Sequence, residues 1–132
     1  MNMKNVMNDT PSAEELARNL WRCFDEKWFR DASAFLAVDF EAVWPNTRER
    51  IRGARDFIAL NEAYPGVWNC TVEDVKPTPG GVVTTTRISD GTVELFAISF
   101  FQVKEGRISR AEEYFCDVIE PPFDRSEWAE RY

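Results

Sequence analysis

The segment VELFAISFFQV, Val93 to Val103, constrains this chain's fold more than any other. Alternate side chains of a strand point to opposite faces, so Phe96, Ile98 and Phe100 oppose Leu95, Ala97, Ser99 and Phe101. Both faces are apolar. A sheet containing such a strand needs cover on two sides, its own helices on one and a second subunit on the other. A homodimer through an outer face of Phe96, Ile98 and Phe100 is therefore expected. The flanking segments are strands punctuated by turns: WNCTVEDVK, PTPGG, VVTTTRI and SDGT before the run, KEGR and ISRAEEYFCD after it. They predict an antiparallel meander.

The N-terminal half carries helical spacing instead. Ser12 followed by Glu15 is a capping box, and Leu16, Leu20, Trp21, Phe24 and Trp28 recur at three- and four-residue steps on one face. A short turn, DASAFLA, leads to a strand over residues 40–44 that Pro45 stops, and NTRERIRG reads as a loop. A second amphipathic helix runs from Gly53 to about Tyr64, where Pro65 and Gly66 end it. The C-terminal PPFDRSEWAERY predicts a short capped helix from Asp124 with Trp128 and Tyr132 on one side. Residues 1–11 read as a mobile lead, 12–120 as one domain and 121–132 as an extension.

Composition removes several functions. With 16 basic residues against 23 acidic ones, a net charge of −7 and no basic run, nucleic acid and anionic membrane surfaces are unsuitable partners. The first residues hold no apolar stretch of signal-sequence or membrane-spanning length, so a cytoplasmic location is expected. Cys23, Cys70 and Cys116 are odd in number and widely spaced, as fits reduced thiols rather than a disulfide framework or a zinc site. There is no histidine. Ser-His and Cys-His nucleophiles, imidazole bases and histidine metal sites are thereby ruled out, and no metal or cofactor is expected. Chemistry is left to carboxylates, Tyr, Lys, Arg, Cys and backbone groups.

The last strand segment places Ala111, Glu113 and Phe115 on one face, and Glu112, Tyr114 and Cys116 on the other. One face is buried, and either way it carries a glutamate. The turn before it decides which. A two-residue turn at Glu105 and Gly106 would set Ser99 opposite residue 112, and a three-residue turn ending at Gly106 would set it opposite 111, with Glu113 inward. The second is expected, because glycine at the last position supplies the left-handed conformation of such loops.

Helices, a strand, a helix and then a curled antiparallel sheet form an order that resembles the cone-shaped nuclear-transport-factor-2-like fold, an α+β fold. FLAVDFEAVWP, RGARDFIAL and FFQVKEGRISRAEEYFCD resemble its small SnoaL-like and ketosteroid isomerase-like branch over Ser12 to Asp117. The resemblance implies a pocket between helices and sheet into which Ala111, Glu113 and Phe115 face. It also marks departures. Where ketosteroid isomerases carry their base before the proline of the first strand, this chain has Trp44. Ser99 and Leu20 stand at the two oxyanion positions, and the histidines of SnoaL-like cyclases and scytalone dehydratase-like enzymes are missing. Of the acids that limonene epoxide hydrolase-like members use, only the last-strand one has a counterpart, Glu113.

Two functional expectations result. One is a cofactor-independent isomerase, lyase or cyclase acting on a small hydrophobic or aromatic carbonyl compound, with Glu113 as acid/base and Ser99 or Tyr64 polarising oxygen. The pocket would be lined by Trp21, Phe24, Trp44, Phe57, Thr84, Thr86, Phe101, Phe115 and Asp117. The other is a non-catalytic small-molecule binding protein or a dimeric assembly module. Glu113 could also be satisfied by Arg87, Arg110 or a buried hydroxyl without further role.

Overall fold

The computed structural model describes residues 10–132, so most of the lead lies outside the described residues. Helix α1 spans Ala13–Glu26, and the Ser12 hydroxyl accepts from the Glu15 amide at 3.1 Å, the bond that a capping box predicts. Its buried face is Leu16, Ala17, Leu20, Trp21, Cys23 and Phe24. The helix stops one turn earlier than its apolar spacing suggests, because Lys27 takes a left-handed conformation and donates its amide to the Cys23 and Phe24 carbonyls. Trp28 consequently lies outside the helix and is 45% exposed. A 3-10 helix, Phe29–Phe35, then feeds strand β1, Leu36–Trp44.

The stretch expected as a loop contains strand β2, Glu49–Arg52, paired antiparallel to β1 with Ile51 opposite Ala42. Only Ile51 turns inward; Glu49, Arg50 and Arg52 are exposed on what is the sheet's edge. Charged side chains are how an edge strand avoids pairing with other chains, and here they disguise the strand as a loop. Helix α2, Ala54–Ala63, follows. Strands β3 (Asn69–Thr78), β4 (Gly81–Ser89), β5 (Glu94–Lys104) and β6 (Arg107–Asp117) complete one six-stranded sheet in the order β2-β1-β6-β5-β4-β3. Every pairing is antiparallel except β1 with β6. The inner concave face packs on α1 and α2 through Leu16, Leu20, Phe40, Phe57, Phe101 and Ile108. The residues from Val118 onward form turns rather than the expected helix: Asp124 accepts from the Ser126 amide, but regular structure ends there.

The β5–β6 hairpin corrects both registers considered from sequence. Glu105 and Gly106 have φ of 54° and 74°, the two positive values of a type I′ turn, so the loop has two residues and Lys104 faces Arg107. The register then shifts between Gln102 and Val103. The extra residue on β6 is Ser109, whose hydroxyl donates to the Gln102 carbonyl at 3.2 Å. Ser99 therefore opposes Glu113 itself, not residue 111 or 112. Glu113 faces inward, and Glu112 lies on the outer face accepting from the Tyr114 hydroxyl.

Candidate functional site: an acid in an aromatic cavity

Between α1, α2 and the inner sheet face lies a cavity of about 580 Å³, open on one side. That volume suits a small organic molecule. Three indoles border it, those of Trp21, Trp44 and Trp68, together with Phe29, Phe57 and Phe115. Among the described residues the sheet buries one carboxyl at the cavity. Glu113 is 3% exposed and lines the cavity, brought there by the Ser109 bulge and by the alternation of β6.

Its carboxylate is held from two sides. Ser99, directly opposite on β5, donates its hydroxyl to Oε2 at 2.6 Å, and the Trp44 indole N–H donates to Oε1 at 3.0 Å. Both bonds favour the charged form, yet burial outweighs them and pushes the carboxyl above its ordinary value of 4.5. No cation reaches Glu113 among the described residues, since Arg87 pairs with Glu73 and Glu94 while Arg110 pairs with Glu112. Of the structural partners considered for this acid, only a buried hydroxyl is realised.

Of the residues expected around the site, Trp21, Phe24, Trp44, Phe57, Tyr64, Phe115 and Asp117 border the cavity with Glu113. Tyr64 stands at the mouth, 58% exposed, its ring edge-on to Trp68 at 6.3 Å. Ser99 is not in the wall. It lies behind Glu113 and orients it, which corrects the expectation that it polarises a ligand's oxygen. Thr84, Thr86 and Phe101 are buried in the layer behind the wall. Thr84 accepts from the Trp21 indole at 3.2 Å and so fixes that ring, whereas Thr86 has no side-chain hydrogen-bond partner among the described residues.

Other wall residues escaped the sequence reading. Ile88 and Leu95 continue the inward parity of Thr86 and Ala97, so stepping two residues further along β4 and β5 would have found them. Cys70, across from Ile88, also lines the cavity, and burial raises its thiol to about 11, which keeps it protonated and a poor nucleophile. Asn61 shares the helix face of Phe57 and Tyr64, whereas Lys27, Asn46 and Trp68 carried no periodic signal and come from a helix end and loops. The mouth is acidic. Glu49, Glu62 and Asp117 border it against a single cation, Lys27, whose ammonium donates to the carbonyls of Phe24, Asp25 and Trp68.

No family model matches the sequence and no curated protein matches it. Solved structures do. A protein of Kribbella flavida DSM 17836, named as a candidate ketosteroid isomerase, superposes with a TM-score of 0.82 at 29% identity, covering 96% of this chain and 93% of that one. An NTF-2-like protein of unknown function from Burkholderia xenovorans LB400 gives 0.80 at 22% identity over 91% and 94% of the two chains. A candidate SnoaL-like polyketide cyclase of Shewanella putrefaciens CN-32 gives 0.67 at 15% identity over 82% and 92%.

Proposed function

On the premise that this chain is a nuclear-transport-factor-2-like protein, sharing its fold with SnoaL-like and ketosteroid isomerase-like proteins, we propose that the cavity binds a small apolar carbonyl compound and that Glu113 transfers a proton at the carbon beside the carbonyl. The observation that carries this reading is a carboxyl buried at the cavity and, among the described residues, in no ion pair. Burial that raises the carboxyl makes its ionised form a stronger base, and it brings the acid/base pair closer to neutral pH. The wall is predominantly aromatic, which suits a flat apolar body. The acidic mouth disfavours carboxylate ligands, so an uncharged substrate fits best. The step is balanced within the site: the ionised carboxylate takes the α-proton, the ligand becomes an enolate, and the carboxylic acid so formed returns a proton to the same or a neighbouring carbon.

Indanone, an aryl ketone of suitable size, tests this without knowledge of the natural substrate. In heavy water the protein is expected to accelerate exchange of indanone's α-hydrogens, measured by proton NMR. Glu113→Gln is expected to lose roughly 100-fold or more of that acceleration while keeping its circular dichroism. Exchange that survives the substitution would discard Glu113 as the base. A non-catalytic reading has support of its own in Trp44, Ser99 and Leu20, the residues that the resemblance sets at the positions of the isomerases' catalytic groups. Indanone bound tightly with no exchange at any pH would establish it.

The outer sheet face supports pairing of two copies: Phe100 is 44% exposed there, beside half-buried Phe96 and Ile98. Light scattering is expected to give about twice the 15.3 kDa chain mass, and Phe100→Asp to return it to one chain. A wild-type protein that runs as a single chain at micromolar concentration would end the dimer proposal.

A further inference from the structure

A carbonyl substrate needs a donor for the oxygen on which charge develops; the wall offers the hydroxyls of Tyr64 and Thr47 and several side-chain N–H groups, most of which already have acceptors. The indole of Trp44 donates to Glu113, that of Trp21 to Thr84, and that of Trp68 to the Pro65 carbonyl at 2.8 Å. The Lys27 ammonium has three carbonyl acceptors for its three hydrogens. Asn61 donates one Nδ2 hydrogen to the Phe57 carbonyl of its own helix at 2.9 Å and keeps the second, on the helix side of the cavity.

Asn46 is bound in the opposite sense. Its Oδ1 accepts from the Phe115 backbone amide at 2.9 Å, and because an amide N–H can only donate, the orientation of the carboxamide is settled. Both Nδ2 hydrogens are left without an acceptor among the described residues, at the exposed rim of the cavity. The same corner of chain grips β6 twice, Trp44 at Glu113 and Asn46 at Phe115. The two contacts fall two residues apart on β6, a backbone step of about 7 Å, so the carboxamide and the carboxylate border the same stretch of cavity wall.

We propose that Asn46 is the oxygen-binding group of this cavity, its Nδ2 donating to the carbonyl oxygen of a ligand whose α-carbon lies against Glu113. The assignment rests on the proton-transfer reading above and names Asn46, rather than Tyr64 at the mouth, as the donor to the oxygen. Trp44 then has a positioning role, holding the base, and Asn46 contacts the ligand at the other end.

The test compares indanone with indane, which has the same rings and no oxygen, in the wild type, Asn46→Asp and Glu113→Gln. Asn46→Asp keeps an oxygen for the Phe115 amide while replacing the donor by a second acceptor, so a merely structural role survives it. Indanone is expected to bind the substituted protein about tenfold more weakly with indane unchanged, the worth of one hydrogen bond. The infrared carbonyl band of bound indanone, at lower frequency in the wild type than in hydrocarbon solvent, is expected to move back in Asn46→Asp and to stay put in Glu113→Gln. An identical band in wild type and Asn46→Asp, or parallel losses for indanone and indane, overturns the assignment while leaving Glu113 as the base. A wild type that binds neither compound overturns this assignment and the proton-transfer reading together.

Discussion

Gly81→Ala is expected to cost about 3 kcal/mol or more, a large share of the roughly 5–15 kcal/mol by which a domain of this size is stable. A Cβ at Gly81 would lie 1.8 Å from the Phe101 carbonyl oxygen and 2.9 Å from its carbon. Neither atom is free to retreat. Gly81 pairs with Gln102 across β4 and β5, and the Phe101 side chain is buried in the core, so relief means parting the ladder next to the largest apolar contacts of the sheet. The neighbouring glycine provides the control. Gly80 has φ of 76° with nothing within 4 Å of where its Cβ would be, so Gly80→Ala should cost only about 1–2 kcal/mol of backbone strain. Urea denaturation of both variants measures the difference, and equal losses would show that the close approach at Gly81 is relieved cheaply.

That pair also shows where sequence stops informing structure. The two glycines of PTPGG look alike as turn formers, and the property that separates them, a carbonyl on the next strand, belongs to tertiary packing. The elements were legible wherever a period was sustained. The capping box at Ser12 and the alternation of β4 and β5 identified the helix face and the sheet's inner face. Strand β2 was not, because one inward Ile51 among three charged residues has no period to read.

The acid itself was legible for a reason that was only half right. Parity along ISRAEEYFCD put Glu113 with Ala111 and Phe115, and this holds. The turn chosen to bring it inward did not form. A tighter turn and a bulge at Ser109 offset one another, so the inward face survived a wrong register. The hydroxyls were legible as inward but not by depth: Ser99, Thr84 and Thr86 all alternate correctly and all stand behind the wall. Depth depends on what fills the space in front, which here is the Glu113 carboxylate and the Trp21 ring. Asn46 could not be found at all, since its placement depends on the Phe115 amide of β6, 69 residues away, to which its Oδ1 is bonded.

Glu113 should also make stability depend on pH in a direction opposite to that of most carboxylates. Its folded-state pKa is raised above the ordinary 4.5, so across the interval between the two values the folded protein binds more protons than the unfolded chain. Stability then falls as pH rises through that interval. Below about 4.5 both states are protonated and no penalty applies; above the folded pKa the full cost of the buried charge is present. Glutamine removes the charge and keeps the shape. Its Oε1 can accept from the Trp44 indole, and its amide can donate to Ser99, so both neighbours stay satisfied. The stability of Glu113→Gln relative to wild type is therefore expected to rise as pH increases above about 4.5 and to level off once pH passes the folded pKa, read from urea midpoints at each pH. Asp74, Asp90, Glu120 and Asp124, whose carboxyls hydrogen bonds hold low, impose the reverse slope on both proteins and cancel in the difference. The same charge that costs stability gives the base its strength, because the solvation withheld from the carboxylate at rest is what its proton affinity gains. A difference that stays flat across this range would mean that water reaches the carboxylate in solution, and it would remove the basis for its acid/base role.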